Sequence, residues 1–221
     1  MYNYFFIGDI GNTETKLCLY RNNKILRYVR LNTKNIDTVY LIKKLNFLKK
    51  YNKFLSLVLI SSVVPKVFKH VKIYFKKKKI KCFELKDLNL KKIINIKVNY
   101  NQVGSDRIAN AISIMDNKNN YIVVDFGTAT NFDVIVKNSY IGGVIAPGLQ
   151  LSLDTLTKKA SLIPSIQFNK LNNIISKNTK SAINAGFYFG YVGLIDNIIN
   201  SIIKQSGLKF KVVLTGGLAP T

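Results

Sequence analysis

One short pattern occurs twice in this chain, and the repetition constrains the fold more than any other feature. Residues Phe5–Leu17 read FFIGDIGNTETKL and Tyr121–Asp133 read YIVVDFGTATNFD, so that Asp9 lies over Asp125 and Gly11 over Gly127 at an offset of 116 residues. Each copy is an apolar, strand-like run that ends in a carboxylate, then a glycine, then hydroxyl-bearing residues. A second alternating segment follows each turn, at 16–20 and at 132–136. Two halves that open with the same hairpin are the mark of a duplicated fold. A strand ending in Asp and a Gly/Thr turn can present the carboxylate to a metal ion while backbone N–H groups and Thr hydroxyls face phosphate oxygens. The same residue types also build ordinary hairpin turns. A pair of such turns, unlike one, can hold a nucleotide's phosphates from two sides.

The remaining chain alternates strand and helix signals. Strands are expected over 4–8, 16–20, 25–31, 54–60, 80–83 and 93–98 in the first half, with helices over 37–46 and 66–75. Asn22-Asn23 is a hairpin turn and Pro65 a helix start. No Pro- or Ser-rich linker separates the halves, so the chain reads as two closely packed lobes, 1–115 and 116–221, of an α/β protein with a mixed sheet in each. The stretch Gly104-Ser105-Asp106-Arg107 precedes a helix over 108–115 with Ala109, Ala111 and Ile112 inward. An Asp there is either a helix cap or a general base taking a proton from a substrate hydroxyl, with Arg107 holding an anionic group beside it. Both readings stand on sequence.

In the second half, Gly142 and Gly143 and the Pro147-Gly148 turn permit close backbone approach or a simple hairpin. A helix over 149–160 is expected to end at Leu162-Ile163-Pro164. Asn178 caps a long helix whose apolar residues recur from Ile183 to Ile202. Gly186, Gly190 and Gly193 interrupt a neighbouring face, open to a helix of the same chain or of a second copy. Gly207 closes the helix, and a strand over 212–214 runs into Thr215-Gly216-Gly217.

Composition narrows the classes. With 221 residues, 48% of them hydrophobic, the chain can bury a sizeable core. The N-terminus has no basic segment followed by an apolar one, and no apolar run is long enough for a bilayer, so a cytoplasmic protein without a membrane span is expected. Cys18 and Cys82 lack metal-ligand spacing and read as reduced, near-core thiols. His70, in a Lys-rich stretch, reads as solvated. A net charge of +23 is of the size seen in nucleic-acid binders. Its lysines are scattered among abundant Asn and Ile, all with AT-rich codons, which weighs against a specific nucleic-acid partner. The densest run, Lys76–Lys79, follows Tyr74 and Phe75, which could stack on bases.

The two turns resemble the phosphate motifs of the acetate and sugar kinase/Hsp70/actin superfamily. Within it, DIGNTETK, SSVVP (61–65), GSDR (104–107), DFGTAT, GGVIAPG (142–148), Asn178-Thr179 and TGG (215–217) resemble type III pantothenate kinase, in that family's order and over almost the whole chain. The resemblance implies a duplicated actin-like (ribonuclease H-like) two-lobed fold and ATP-dependent phosphorylation of pantothenate to 4′-phosphopantothenate, the first step of coenzyme A synthesis. It implies ATP with Mg²⁺, bound by Asp9, Ile10, Gly11, Asn12, Thr13, Glu14, Thr15, Lys16 and Thr128, and a monovalent cation (K⁺ or NH₄⁺) at Asp125. Asp106 would be the catalytic base. Tyr100, Gly104, Ser105, Asp106 and Arg107 would hold pantothenate, with Thr179 reaching the pocket of the other subunit in a homodimer. An ungapped alignment puts the family's substrate tyrosine at Lys97 rather than Tyr100, and the family's Asn-Pro pair ahead of GxDR is absent. The chain stops at Thr221, where the family continues through a further helix, so this copy is expected to be either truncated or reduced on the adenosine side. A non-catalytic relative acting in transcription and a related small-molecule kinase are the alternative functions.

Overall fold

The computed structural model describes residues 4–160, 163 and 166–219. Its strands form two five-stranded mixed sheets. One compact unit takes the chain up to Asn95 together with Asn99–Ser113, and the other takes Ile96–Val98 and the chain from Ile114 onward.

In the first unit β1 (Tyr4–Ile10), β2 (Glu14–Arg21) and β3 (Lys24–Asn32) form an antiparallel meander. Asn22 and Asn23 both take positive φ, 48° and 58°, as a two-residue hairpin requires and asparagine tolerates. β4 (Leu55–Ser62) lies parallel to β1, and β5 (Cys82–Glu84) follows β4, giving the order β3-β2-β1-β4-β5. α1 (Thr38–Lys44) starts at Asp37, whose Oδ1 accepts from the Tyr40 N–H at 2.7 Å. α2 (Pro65–Lys76) has Pro65 in its first turn, where the missing N–H has no helical partner to lose. Phe6, Ile10, Leu17, Leu19, Val58, Ile60, Val71 and Phe75 are fully buried together. α3 (Ser105–Ile114) belongs to this unit and buries Ile108 and Ala111, while Ala109 and Ile112 are half-buried. His70 is half-buried rather than solvated, with Nδ1 3.2 Å from Thr38 Oγ1. Cys18 and Cys82 are free thiols.

The second unit repeats the plan. β7 (Asn120–Phe126), β8 (Ala129–Val136) and β9 (Ser139–Pro147) form the same meander, and β10 (Lys211–Gly216) lies parallel to β7 as β4 does to β1. The fifth strand differs. β6 (Asn95–Ile96), all that forms of the strand expected over 93–98, lies beside β9, whereas β5 lies beside β4. The fold is therefore the duplicated, actin-like two-sheet architecture expected from the repeated hairpin. The copies differ by one residue: the loop between strands is 11–13 in the first hairpin and 127–128 in the second. Accordingly Asp9 pairs with Lys16, but Asp125 pairs with Asn131, so an ungapped overlay slips beyond the turn.

α4 (Leu149–Lys159) ends at Ala160; Leu162 and Pro164, expected to stop it, lie outside the described residues. α5 (Thr179–Ser206) is capped by Asn178, whose Oδ1 accepts from the Ser181 N–H at 2.9 Å, and ends at Gly207 with φ 67°. Its stripe of Leu194, Ile195, Ile198, Ile199 and Ile202 packs on Ile122, Val124 and Phe132 of the sheet. A side chain placed at Gly186, Gly190 or Gly193 would meet nothing within 4 Å. The close helix approach that these glycines permit is thus not made by the described residues of this chain. No described helix is long and apolar enough to cross a membrane.

Candidate active site

In the first unit the motifs gather at one end of the sheet. Asp9, half-buried at the end of β1, faces β4, where Ser61 is its register partner and donates its Oγ–H to Asp9 Oδ1 at 3.1 Å. The strand end is tied again by Val63 N–H donating to Ile10 O at 3.0 Å. The loop closes through Gly11 N–H to Glu14 O at 3.1 Å and is braced from beneath by Thr33. That residue donates its hydroxyl to Gly11 O at 2.8 Å and its N–H to Thr13 O at 3.0 Å. Thr15 is fully buried, 2.9 Å from the Thr33 hydroxyl, and Ile10 is fully buried too. These two expected contact residues therefore shape the turn, while Asn12 and Thr13 are exposed and Gly11, Glu14 and Lys16 half-exposed. Glu14 pairs with Lys16 at 3.9 Å and Arg30 at 4.0 Å, exposed contacts of small energetic weight.

The start of α3 lies beside the end of β4. Gly104 packs against Val63, to which a Cβ would come within 3.3 Å. The Asp106 carboxylate folds back over Gly104, so that any Cβ at 104 would collide with Asp106 Oδ1. Asp106 sits inside the helix, one residue past its start, and its Oδ1 accepts from the neighbouring Arg107 N–H at 2.8 Å. An N-cap residue stands just before the helix, whereas Asp106 stands one residue inside it. A pocket of 380 Å³ opens alongside, lined by Ser62, Val63, Phe68, Lys86, Gln102 and Gly104 among others. Tyr100 is half-buried and its hydroxyl donates to Lys86 O at 3.1 Å. Burial pushes its phenol above the usual range, with the charges of Glu84 and Asp87 adding. Lys97, the alternative to Tyr100, is exposed in the second unit, where its N–H donates to Tyr140 O at 2.9 Å.

The second unit gathers its motifs in the same way but by different contacts. Asp125 is half-buried at the end of β7, with Gly127 and Thr128 exposed at the tip. Gly127 N–H donates to Ala129 O at 3.1 Å, and Gly148 N–H to Thr128 O at 3.2 Å. A Cβ at Gly148 would lie 2.6 Å from Gly127 O and closer still to Thr128 O. Across the sheet Thr215 pairs with Asp125 and Gly216 with Phe126. Gly216 has φ 100°, and a Cβ there would be 2.7 Å from Asp125 Oδ1. Thr130, fully buried, is hydrogen-bonded to the Tyr191 hydroxyl, which anchors α5 beneath the turn. Thr179 is exposed at the first position of α5.

Each unit thus holds a strand-end carboxylate beside a glycine turn, and the first unit holds a further carboxylate in the first turn of α3. Residues 5–201 match the type III pantothenate kinase family. The chain is 59% identical to "Type III pantothenate kinase" of Pelagibacter ubique over 96% of its own length and 87% of that protein. The chain belongs to the type III pantothenate kinase family. Among solved structures, a Campylobacter jejuni protein assigned to the Baf family of transcriptional activators superposes with a TM-score of 0.59 at 21% identity, covering 97% of this chain and 84% of that one. A Cytophaga hutchinsonii protein assigned to the sugar kinases superposes at 0.50 with 15% identity, covering 99% and 84%. At those identities the two structures speak for the fold alone.

Sequence reasoning missed several supports of the site. Thr33 and Glu84 lie outside every motif, and only tertiary contact brings Thr33 to Gly11 and Glu84 to Ser105. The aromatic clamp imagined beside Lys76–Lys79 is not formed. Tyr74 and Phe75 are buried, at 3% and 0% exposure, with the Tyr74 hydroxyl donating to Leu45 O at 3.2 Å. Among the described residues no three His, Cys, Asp or Glu side chains gather as metal ligands. A cation at Asp9 would complete its shell with water and phosphate, as Mg²⁺, an ion that keeps several waters, can do.

Proposed function

We propose that this chain transfers the terminal phosphoryl group of ATP to the primary hydroxyl of pantothenate, giving 4′-phosphopantothenate and ADP. Family membership supports the substrate. The observation that supports the chemistry is the placement of Asp106 in the first turn of α3, with its carboxylate over Gly104. Asp106 takes the proton of the attacking hydroxyl, and Gly104, Arg107 and Tyr100 hold the substrate, with Ser105, whose buried hydroxyl is taken by Glu84, offering main chain alone. Asp9 would hold Mg²⁺ through water, where the ion neutralises phosphate charge. The exposed tips of Gly11–Thr13 and Thr128, with Lys16, bind the phosphates. Asp125 takes a potassium or ammonium ion. Catalysis on this plan is positioning and charge neutralisation, as phosphoryl transfer requires.

The active form is a homodimer, seated on the open glycine face of α5 beside a 310 Å³ apolar groove lined by Leu156, Ile183, Phe187 and Leu194. Thr179 of each chain completes the other's substrate pocket, in the cytoplasm. Sedimentation should give about twice 25.0 kDa; a fully active monomer would remove the shared pocket.

The test of the reaction is Asp106→Asn. The amide keeps the shape of the carboxylate but takes no proton, so turnover should fall roughly 10²–10⁴-fold, while calorimetry still finds pantothenate bound. Wild-type turnover in the variant would remove Asp106 from the chemistry. A coupled ADP-release assay with and without pantothenate tests the substrate itself; ADP release indifferent to pantothenate would assign the site to another acceptor.

A further inference from the structure

The loop that delivers Asp106 is held at three points by one short turn, Leu85–Asp87, and the strand residue before it. Tyr100 donates its hydroxyl to Lys86 O at 3.1 Å, and Lys86 Nζ donates to Val103 O at 3.0 Å while lying 4.8 Å over the Tyr100 ring. Ser105 donates its hydroxyl to Glu84 Oε1. The Glu84 carboxylate is itself immobilised, because its other oxygen accepts from the Lys86 N–H at 2.7 Å and its N–H donates to Asp87 Oδ2 at 3.3 Å. Ser105 is buried, at 2% exposure, between Gly104, which has no side chain to anchor, and Asp106. A rotation at Ser105 would swing the Asp106 carboxylate off Gly104.

We propose that Glu84, acting through Ser105, is the positioning residue that fixes the orientation of Asp106. The inference rests on Asp106 as the base of the proposed reaction. One carboxylate oxygen grips the turn and the other grips the first residue of α3, so the strand end transmits its rigidity to the catalytic group. Reacting groups misplaced by about 1 Å lose up to about 10²-fold in rate.

The experiment uses the full chain with Ser105→Ala, Glu84→Gln, the two combined, and Ser105→Thr. Turnover should fall about 10–100-fold in each single variant. The double variant should be no slower than the worse single one, since both break the same link. The KM for ATP should hold, and Ser105→Thr, which keeps the hydroxyl, should recover most of the loss. Amide hydrogen exchange at Arg107, whose N–H donates to Asp106 Oδ1, should quicken in Ser105→Ala and Glu84→Gln without a matching fall in melting temperature. Unchanged turnover, or losses that multiply in the double variant, would overturn the proposal. A lowered melting temperature with wild-type turnover per folded molecule would also overturn it, leaving Glu84 a structural cap. Were the wild type inactive on pantothenate, the substrate reading would fall, and Arg107 exchange would still decide: unaltered exchange overturns the clamp.

Discussion

The two Asp-x-Gly turns share a sequence pattern and a place in their sheets, yet the contacts that surround them differ. The first is braced by side-chain hydroxyls: Thr33 under Gly11, Thr15 against Thr33, Ser61 on Asp9. At the second, glycines let main chain press close, Gly148 on Thr128 and Gly216 on Phe126 and on the Asp125 carboxylate. Hydroxyl bracing leaves the first carboxylate a donated hydrogen bond and a longer, exposed loop, which suits a group sharing water with a hydrated Mg²⁺. Glycine bracing crowds the second carboxylate with main chain, which suits an ion held directly by carboxylate and carbonyl oxygens. Duplication supplied two like scaffolds with different supports.

The largest expected effect separates the two carboxylates. Asp9→Ala should cost about 10²–10³-fold in turnover, the worth of one electrostatic contact to the reacting phosphoryl group, at every potassium concentration. Asp125→Ala should cost a similar factor but also abolish the difference between potassium and sodium buffers. Equal wild-type rates in the two buffers would break the division of labour.

Next comes the bracing itself. Gly216→Ala adds a Cβ 2.5 Å from Phe126 N at a φ of 100°, and should destabilise the chain by about 3 kcal/mol. Gly11→Ala meets only Glu14 O, at 3.1 Å, and should cost less. Denaturant midpoints decide it, and equal losses would mean that the two turns are packed alike. Smaller still is Thr33→Val, which removes the hydroxyl between Gly11 and Thr15. It should cost about 1 kcal/mol and raise the KM for ATP, whereas Thr130→Val, beneath the other turn, should loosen α5.

The smallest effect reads the first unit alone, because both cysteines lie in it. Burial pushes the Cys82 thiol up to about 12, with Asp87 raising and Lys72 lowering it, and burial raises Cys18 as well. Folding thus favours the neutral thiols. That contribution is present below the unfolded thiol pKa and is lost as pH climbs from there toward about 12. Alkylation at neutral pH should be slow for both thiols and should stay slow in Gly216→Ala while the first unit remains folded. Fast labelling in that variant would show that the two units unfold together.

The sequence by itself determined the duplicated α/β plan, because alternation of apolar residues and the repeated Asp-x-Gly turn are local signals. It also placed the Asn22-Asn23 hairpin, the Asn178 cap and the Gly207 stop, where one residue type suits one backbone geometry. What it could not carry was anything set by contact between distant segments. The one-residue difference between the hairpins shows only in strand register. Ile10 and Thr15 read as ligand contacts but point into the core, since the pleat alternates faces and register decides which face is inward. Asp106 reads equally as cap or base on sequence, and only the fold lays its carboxylate over Gly104. Glu84 and Thr33 had no motif at all, because a hydrogen bond across 21 or 22 residues leaves no local periodicity. Local chemistry wrote the elements, and only their packing decided which side chains hold the site.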